Sequence, residues 1–409
     1  GKLGNQNTGD TYAYLEEIVT GQTLNYTLDG TSKLQYSKPS DPKTSYLTWE
    51  TIATWNIGLD MSFLNNRLTF TGDYFIRNTE GMLADSYELP GVFGAKTPDE
   101  NCADLRTNGW ELYLGWNDSF ALMGKRFNYT VSATLGDNKT VFTKFNNPEK
   151  NLSNHYEGKV LGEIWGYRVD GLFASDEEAA EYTSKINQDA VNERILTDKV
   201  DPYYRAGDLK FRDLDGDNVI SKGDDTAYDA GDREIIGNET PRYMYSFRLG
   251  ADWNGFDLGI FFQGVGKRDW YPNYLSTGFW GPYSRAFTSF IPENFMDQCW
   301  SEENRDGYFP RFRGYQTFAG SQLGVNNDRY LQDASYIRLK NLTVGYTLPV
   351  LKKVFTKLRV YFTGENLWYW SPMLKHTKYI DPEAAGGNGN TGMAYNYSRN
   401  FSVGVDITF

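Results

Sequence analysis

From Thr54 to Phe63 the chain alternates. Trp55, Ile57, Leu59, Met61 and Phe63 are apolar, and Asn56, Gly58, Asp60 and Ser62 between them are small or polar. A period of two places all the apolar side chains on one face of an extended strand. After Asn65-Asn66, the residues Leu68, Phe70, Tyr74 and Ile76 continue the pattern, which predicts two tightly linked strands. The same alternation runs through Trp110 to Trp116, Phe127 to Leu135, Tyr243 to Trp253, Phe256 to Phe262, Leu342 to Leu348 and Leu358 to Phe362. It ends with Phe401, Val403, Val405, Ile407 and Phe409. Ile337 and Leu339 are out of phase with Leu342 to Leu348, as a β-bulge or an exit from the membrane would make them.

The links between these strands alternate as well. Short ones fall near residues 65, 124, 254 and 353, and long ones run over 84–103, 147–240, 268–329 and 371–394. Tight turns on one side and long loops on the other are the mark of an outer-membrane barrel. The predicted fold is therefore all-β: an antiparallel transmembrane β-barrel of about nine to eleven strands with long extracellular loops. Ser175-Asp-Glu-Glu178 has capping-box spacing and predicts a short helix in the longest loop, through Glu181 to Ile186. Two alternatives stand beside this reading: a free-standing small barrel, porin or enzyme, and a soluble secreted β-domain that binds calcium and sugar.

Composition sharpens the picture. Aromatic residues make up 16% of the 409, with 30 Tyr, 25 Phe and 11 Trp, as aromatic girdles require. A mean hydropathy of -0.59 is compatible with strands that are only half apolar. No apolar run is long enough for a membrane helix. The net charge of -12 argues against nucleic acid as a partner. Cys102, Cys299, His155 and His376 are too scattered for a zinc site, and pairing of Cys102 with Cys299 stays open. Neither histidine has a nucleophile arrangement around it, so no enzymatic activity is expected. The opening Gly1-Lys-Leu-Gly4 has no signal region, so a segment upstream is expected.

Several segments together resemble the C-terminal barrel region of the SusC/RagA-like family, the TonB-dependent outer-membrane importers of Bacteroidetes. They are Gly1 to Asn7, Gly166-Tyr-Arg-Val-Asp-Gly-Leu-Phe173, Gly207 to Asp217, Ile236-Gly-Asn-Glu-Thr-Pro-Arg242, Asn254 to Gly264, Ala334 to Tyr346, Gly364-Glu-Asn-Leu-Trp368 and the terminal Phe409. The resemblance implies a 22-stranded barrel, of which this chain is the C-terminal part, integral in the bacterial outer membrane and facing its lipid. It implies a plug and a TonB-contacting segment on residues outside this chain, pairing with the remaining strands of the same barrel, and a SusD-like surface lipoprotein as lid. It also implies uptake of oligosaccharides or, in the RagA manner, peptides, with Phe409 as the barrel-assembly signal.

Two stretches are candidates for chemistry. Asp213-Leu-Asp-Gly-Asp-Asn-Val-Ile-Ser-Lys-Gly-Asp224 aligns with a twelve-residue Ca²⁺ loop. It offers the carboxylates of Asp213, Asp215, Asp217 and Asp224 and the carbonyl of Val219, with Ca²⁺ favoured over Mg²⁺. Asn218 stands where such loops carry Gly, a position Asn tolerates because it visits the left-handed region. The second stretch is the 268–329 loop, rich in rings: Trp270, Tyr271, Tyr274, Phe279, Trp280, Tyr283, Phe287, Phe290, Trp300 and Tyr308. Stacking on sugar rings or contact with the lid is one reading, with Trp270, Tyr271, Tyr274, Trp280 and Tyr283 foremost. Packing of the loop on itself is the other.

Overall fold

Every alternating stretch becomes a strand of one sheet. The computed structural model describes residues 2–5, 15–27, 30–44, 46–85, 92, 94–285, 287, 291, 293–349, 356–386 and 396–409. Ten strands follow one another in the sheet in chain order, each antiparallel to the next. They are β1 Lys2–Asn5, β2 Glu50–Phe63, β3 Leu68–Asp85, β4 Asp99–Leu122, β5 Lys125–Lys144, β6 Arg242–Trp253, β7 Phe256–Lys267, β8 Tyr336–Leu348, β9 Lys357–Trp370 and β10 Asn400–Thr408. Among the described residues β1 and β10 do not meet, so the sheet is an open arc. Closing it takes further strands, which favours a section of a larger barrel over a small closed one.

Residues opposite one another in neighbouring strands share a face, and the register joins the apolar positions into one surface. Ile57 faces Tyr74, Tyr74 faces Trp110, and Phe70 faces Leu114. Leu114 faces Ala133, Ala133 faces Phe247, Leu249 faces Ile260, and Ile260 faces Leu342. Val344 faces Phe362, and Phe362 faces Val403. Among the described residues no second layer covers this surface: Ile57 is 59% exposed and Val403 77%. The main hydrophobic core, running from Tyr167 to Ala385, takes no residue from the ten strands. A soluble two-layer sandwich would bury these faces against each other, so that alternative is set aside.

The opposite face carries polar ladders, as a face turned to water would. Asn128 Nδ2 donates to Asp252 Oδ2 at 2.7 Å, the Thr134 and Ser246 hydroxyls meet at 2.6 Å, and Thr71 Oγ1 donates to Asp60 Oδ1 at 2.7 Å. Arg359 on β9 reaches across β8 to β7 and also to β10, with two bonds to Asp257 at 2.9 and 2.7 Å and one to Asp406 at 3.0 Å. Rings gather at both ends of the apolar band. Phe120, Phe127 and Tyr129 cluster toward the tight turns, and Trp55 packs on Tyr74 at 6.4 Å at the other end. From Phe120 to Trp110 the strand runs about 33 Å, which at a tilt of about 40° gives about 25 Å of height, the thickness of an outer-membrane apolar band.

The two-residue turns have the left-handed backbone that matches strand twist. Met123 and Gly124 have φ 51° and 73°, and Asn254 and Gly255 have φ 49° and 91°. The expected link near 353 lies outside the described residues, as do Phe290 and parts of Gly1 to Asn7. The phase slip in β8 is a bulge: Lys340 is skipped in the pairing with β7, where Phe261 faces Asn341 and Phe262 faces Leu339. Two elements lack the alternation that announces the others. They are β1 and a hairpin of Ile18–Thr27 with Lys33–Pro39 in the connection between β1 and β2.

Candidate functional site

All the long connections leave the sheet at the end opposite the tight turns, and three of them, 145–241, 268–335 and 371–399, fold together. Tyr167, Leu209, Phe211 and Ile220 of the first join Trp270, Trp280, Tyr283, Phe309 and Tyr330 of the second and Met373 and Ile380 of the third in one core. Loops this long cannot stay unstructured at a barrel mouth without exposing their rings, so they bury them in one another.

This corrects part of the expectation for the aromatic loop. Trp280 and Tyr283 are fully buried and Trp270 is 3% exposed. Trp270 sits edge-on to Phe279 at 6.0 Å, and Trp280 meets Tyr330 at 5.4 Å and donates from Nε1 to Asn273 O at 3.0 Å. Tyr283 stacks on Phe309 at 5.8 Å. Packing of the loop on itself is what these three rings do, with only an edge of Trp270 reaching the cavity described next. Tyr271 is half-buried, its hydroxyl held by Val325 O at 2.8 Å and Asn327 Nδ2 at 3.0 Å, and Tyr274 is exposed.

Tyr271 and Tyr274 line a cavity of about 560 Å³ between the two longest loops. Its other walls include Lys159, Glu163 and Trp165, then Asp225, Arg233 and Glu239, then Asn273 and Asn326. A two-stranded ribbon, Glu163–Tyr167 paired with Arg233–Asn238, carries several of these side chains. The volume is in the range of cavities that enclose small ligands. No motif marks this cavity in the sequence, because its walls come from four separate stretches.

The acidic loop takes a different shape from the twelve-residue alignment. Asp213 turns back on its own backbone, with Oδ1 accepting from Gly216 N at 2.7 Å and Oδ2 from Asn218 N at 3.0 Å. Asn218 has φ 67°, as its place required. Single oxygens of Asp213, Asp215 and Asp232 come within 4.8 Å of one another. Asp217 instead caps Val219 N at 2.7 Å, and Asp224 is exposed and outside the group. Asp232 was not expected. It is fully buried and accepts from Leu214 N at 2.7 Å and Ser221 N at 2.8 Å, which fixes it beneath the loop. Burial first, then the charges of Asp215 and Asp213, push its pKa up against those two hydrogen bonds. The chain returns Asp232 to the loop just before the ribbon strand Arg233–Asn238, and that return is invisible in a linear spacing.

Helix α1, Asp176–Thr183, starts where the capping signal put it and ends three residues short of the expected Ile186: Ser175 Oγ accepts from Glu178 N at 3.1 Å. Cys102 and Cys299 form no disulfide, and both thiols are buried. His155 stacks on Phe142 at 4.2 Å, and His376 lies flat on Tyr308 at 3.5 Å. Burial, then Lys375 and Arg329, bring the His376 pKa down to about 4, so it is neutral at physiological pH. Phe409, just past β10, is exposed.

An open arc of antiparallel strands with a folded loop body at one end is the architecture of a section of a β-barrel. No family profile matches the chain. It is 28% identical to TonB-dependent receptor P3 of Formosa agariphila over 89% of this chain and 34% of that protein, and 27% identical to receptor P26 of the same organism over 100% of this chain and 39% of the relative. It is 24% identical to TonB-dependent receptor SusC of Bacteroides thetaiotaomicron, again over 100% of this chain and 37% of that one. Among solved structures, the RagAB peptide transporter matches 100% of this chain and 40% of its own with a TM-score of 0.69 at 22% identity. The chain thus spans well under half the length of the relatives it matches. In sequence the chain is similar to part of TonB-dependent receptors, SusC among them, and in fold to part of the RagAB structure.

Proposed function

We propose that this chain forms wall and outer loops of an importer that carries oligomeric nutrients across the bacterial outer membrane. Its relatives are receptors and transporters rather than enzymes. The observation that carries the reading is the continuous apolar face over a polar lumen, with the folded loop body at one end only. Energy would come from TonB through a plug on other residues of the protein, and a SusD-like surface lipoprotein would close over the loop body. For the substrate, oligosaccharides are the first reading, supported by the rings of Trp165, Tyr271 and Tyr274 around the cavity. Peptides are the second, supported by the charged groups in the same wall. Deleting the whole gene should abolish growth on the cognate oligomer while growth on its monomer continues. Unchanged growth on every oligomer tested would overturn the reading.

We further propose a structural Ca²⁺ held by Asp213, Asp215 and Asp232. One oxygen from each of the three carboxylates lies within 4.8 Å of the others, close enough to share one hard cation, and the flexible, carboxylate-rich loop suits Ca²⁺ better than the strict octahedron of Mg²⁺. The cation would offset three converging carboxylates, one of them buried, and rigidify the loop. Chelation should raise protease cleavage between residues 150 and 240 and leave the strands intact. Asp232→Asn should weaken Ca²⁺ binding by at least about tenfold, whereas Asp224→Asn should not. Equal effects of the two substitutions in a calcium titration would remove Asp232 from the site.

A further inference from the structure

Several charged side chains on the polar face of the sheet are engaged with their neighbours. Asp252 takes Asn128 Nδ2 at 2.7 Å, Asp257 and Asp406 share Arg359, and Glu365 accepts from Asn400 Nδ2 at 3.1 Å. Nearer the loops, Arg338 and Lys340 hold Asp381 and Glu383. Arg248, midway along β6, differs. Its guanidinium lies 5.2 Å from the centre of the Phe261 ring on β7, within cation-π range, and makes no hydrogen bond or ion pair among the described residues.

The register keeps opposite charge away from it. Its own row holds Ser132, Phe261 and Asn341, and from β5 to β8 neither this row nor the rows on either side carry a carboxylate. Asp252 is four residues farther along β6, about 13 Å of strand, and Glu365 is three strands away, about 14 Å. The next row toward the turns is Thr130, Gly250, Gly259 and Thr343, so two side chains are missing side by side directly beneath Arg248. That leaves a recess in the wall. Thr130 Oγ1 leans over it, 2.6 Å from where a Cβ on Gly250 would stand, and the Thr343 hydroxyl closes the other end.

We infer that Arg248 and this recess form a station for the carboxylate of a transported oligomer, an acidic sugar or a peptide C-terminus, on the inner wall of the barrel. A guanidinium is a planar fork of donors that matches a carboxylate, and the Phe261 ring keeps this one at the edge of the recess. Water around the pair weakens it. A group that passes through must bind well enough to enter and loosely enough to leave, which a single hydrated cation among hydroxyls provides. The inference rests on the importer reading and adds the chemistry of what passes.

The test uses the full-length transporter purified in detergent and two matched pairs of probes. One pair is a short galacturonate oligomer and its methyl ester, the other a short N-acetylated peptide with a free or an amidated C-terminus. In at least one pair the wild-type protein should bind the carboxylate form more tightly, and Arg248→Gln should weaken that binding about fivefold while leaving the neutral form unchanged. The pair that responds tells sugar from peptide. Arg248→Lys should keep part of the preference. Gly259→Val should weaken carboxylate binding by filling the recess, since a Cβ there meets nothing nearer than Thr343 Cβ at 4.0 Å and the strand has room for it. The shift of heat-resistant protein on a gel checks that each variant is folded. No preference for either carboxylate, or a preference that survives Arg248→Gln, overturns the assignment. So does an Arg248→Gln variant whose plug becomes open to protease while both probe pairs bind as before, because Arg248 then serves a fixed partner inside the barrel. The importer reading itself falls only if gene deletion leaves growth on every oligomer unchanged.

Discussion

Replacing Leu249 with Arg should cost about 2–4 kcal/mol of barrel stability and sharply reduce the assembled protein in membranes. Leu249 sits midway along β6, between Trp253 near the turn and Tyr245 nearer the loops, with Val131 and Ile260 opposite it on the apolar face. An Arg there must place its charge in hydrocarbon or thin the bilayer around it. On the other face of the same strand Arg248 is already present, its guanidinium 5.2 Å from the Phe261 ring centre. The paired control is Ser246→Lys, on that lumen face, which should change stability by less than about 1 kcal/mol. Folding into vesicles, followed by the shift of heat-resistant protein on a gel, reads both variants. Equal penalties on the two faces would mean that the Leu249 face does not meet lipid.

The faces of the strands were legible because a period of two leaves no freedom: once Trp55, Ile57 and Leu59 share a side, Asn56 and Asp60 take the other. Even the bulge at Lys340 appeared as a slip in phase before any pairing was known. The loop body was much less legible. A density of Trp and Tyr is equally the signature of a ligand platform and of a small core, and composition cannot say which rings find each other. Here Trp280 finds Tyr330, fifty residues on. The acidic loop failed for a related reason. Its first two carboxylates, Asp213 and Asp215, are local and were read correctly as converging, whereas the third, Asp232, reaches them only because the chain folds back to Ser221. The cavity lay beyond sequence reading altogether, since Lys159, Glu239 and Tyr274 are brought together only by the packing of one loop on another.

That packing hinges on a buried ion pair, and removing one partner should open the loop body without touching the barrel. Arg313 and Asp208 are 8% and 0% exposed, joined by Nε to Oδ1 at 3.0 Å and Nη2 to Oδ2 at 2.9 Å. The same guanidinium donates to Asp201 O at 3.2 Å and Tyr203 O at 3.0 Å, so one side chain of the 268–335 loop holds three points of the 145–241 loop. Burial pushes the Asp208 carboxyl up and the Arg313 partnership holds it down, so without Arg313 the buried charge keeps only the Arg205 amide at 2.9 Å, the Gln322 amide at 3.5 Å and the charge of Arg311. Arg313→Met should therefore cost the loop body about 3–5 kcal/mol, and the double variant with Asp208→Asn should recover much of it. Hydrogen exchange should quicken in 201–211 and 311–323, while the amides of β6 and β7 keep their protection, because loop bodies open as units separate from the strands that carry them. Unchanged exchange in Arg313→Met, or a loss that spreads equally into the sheet, would show that loops and barrel unfold as one.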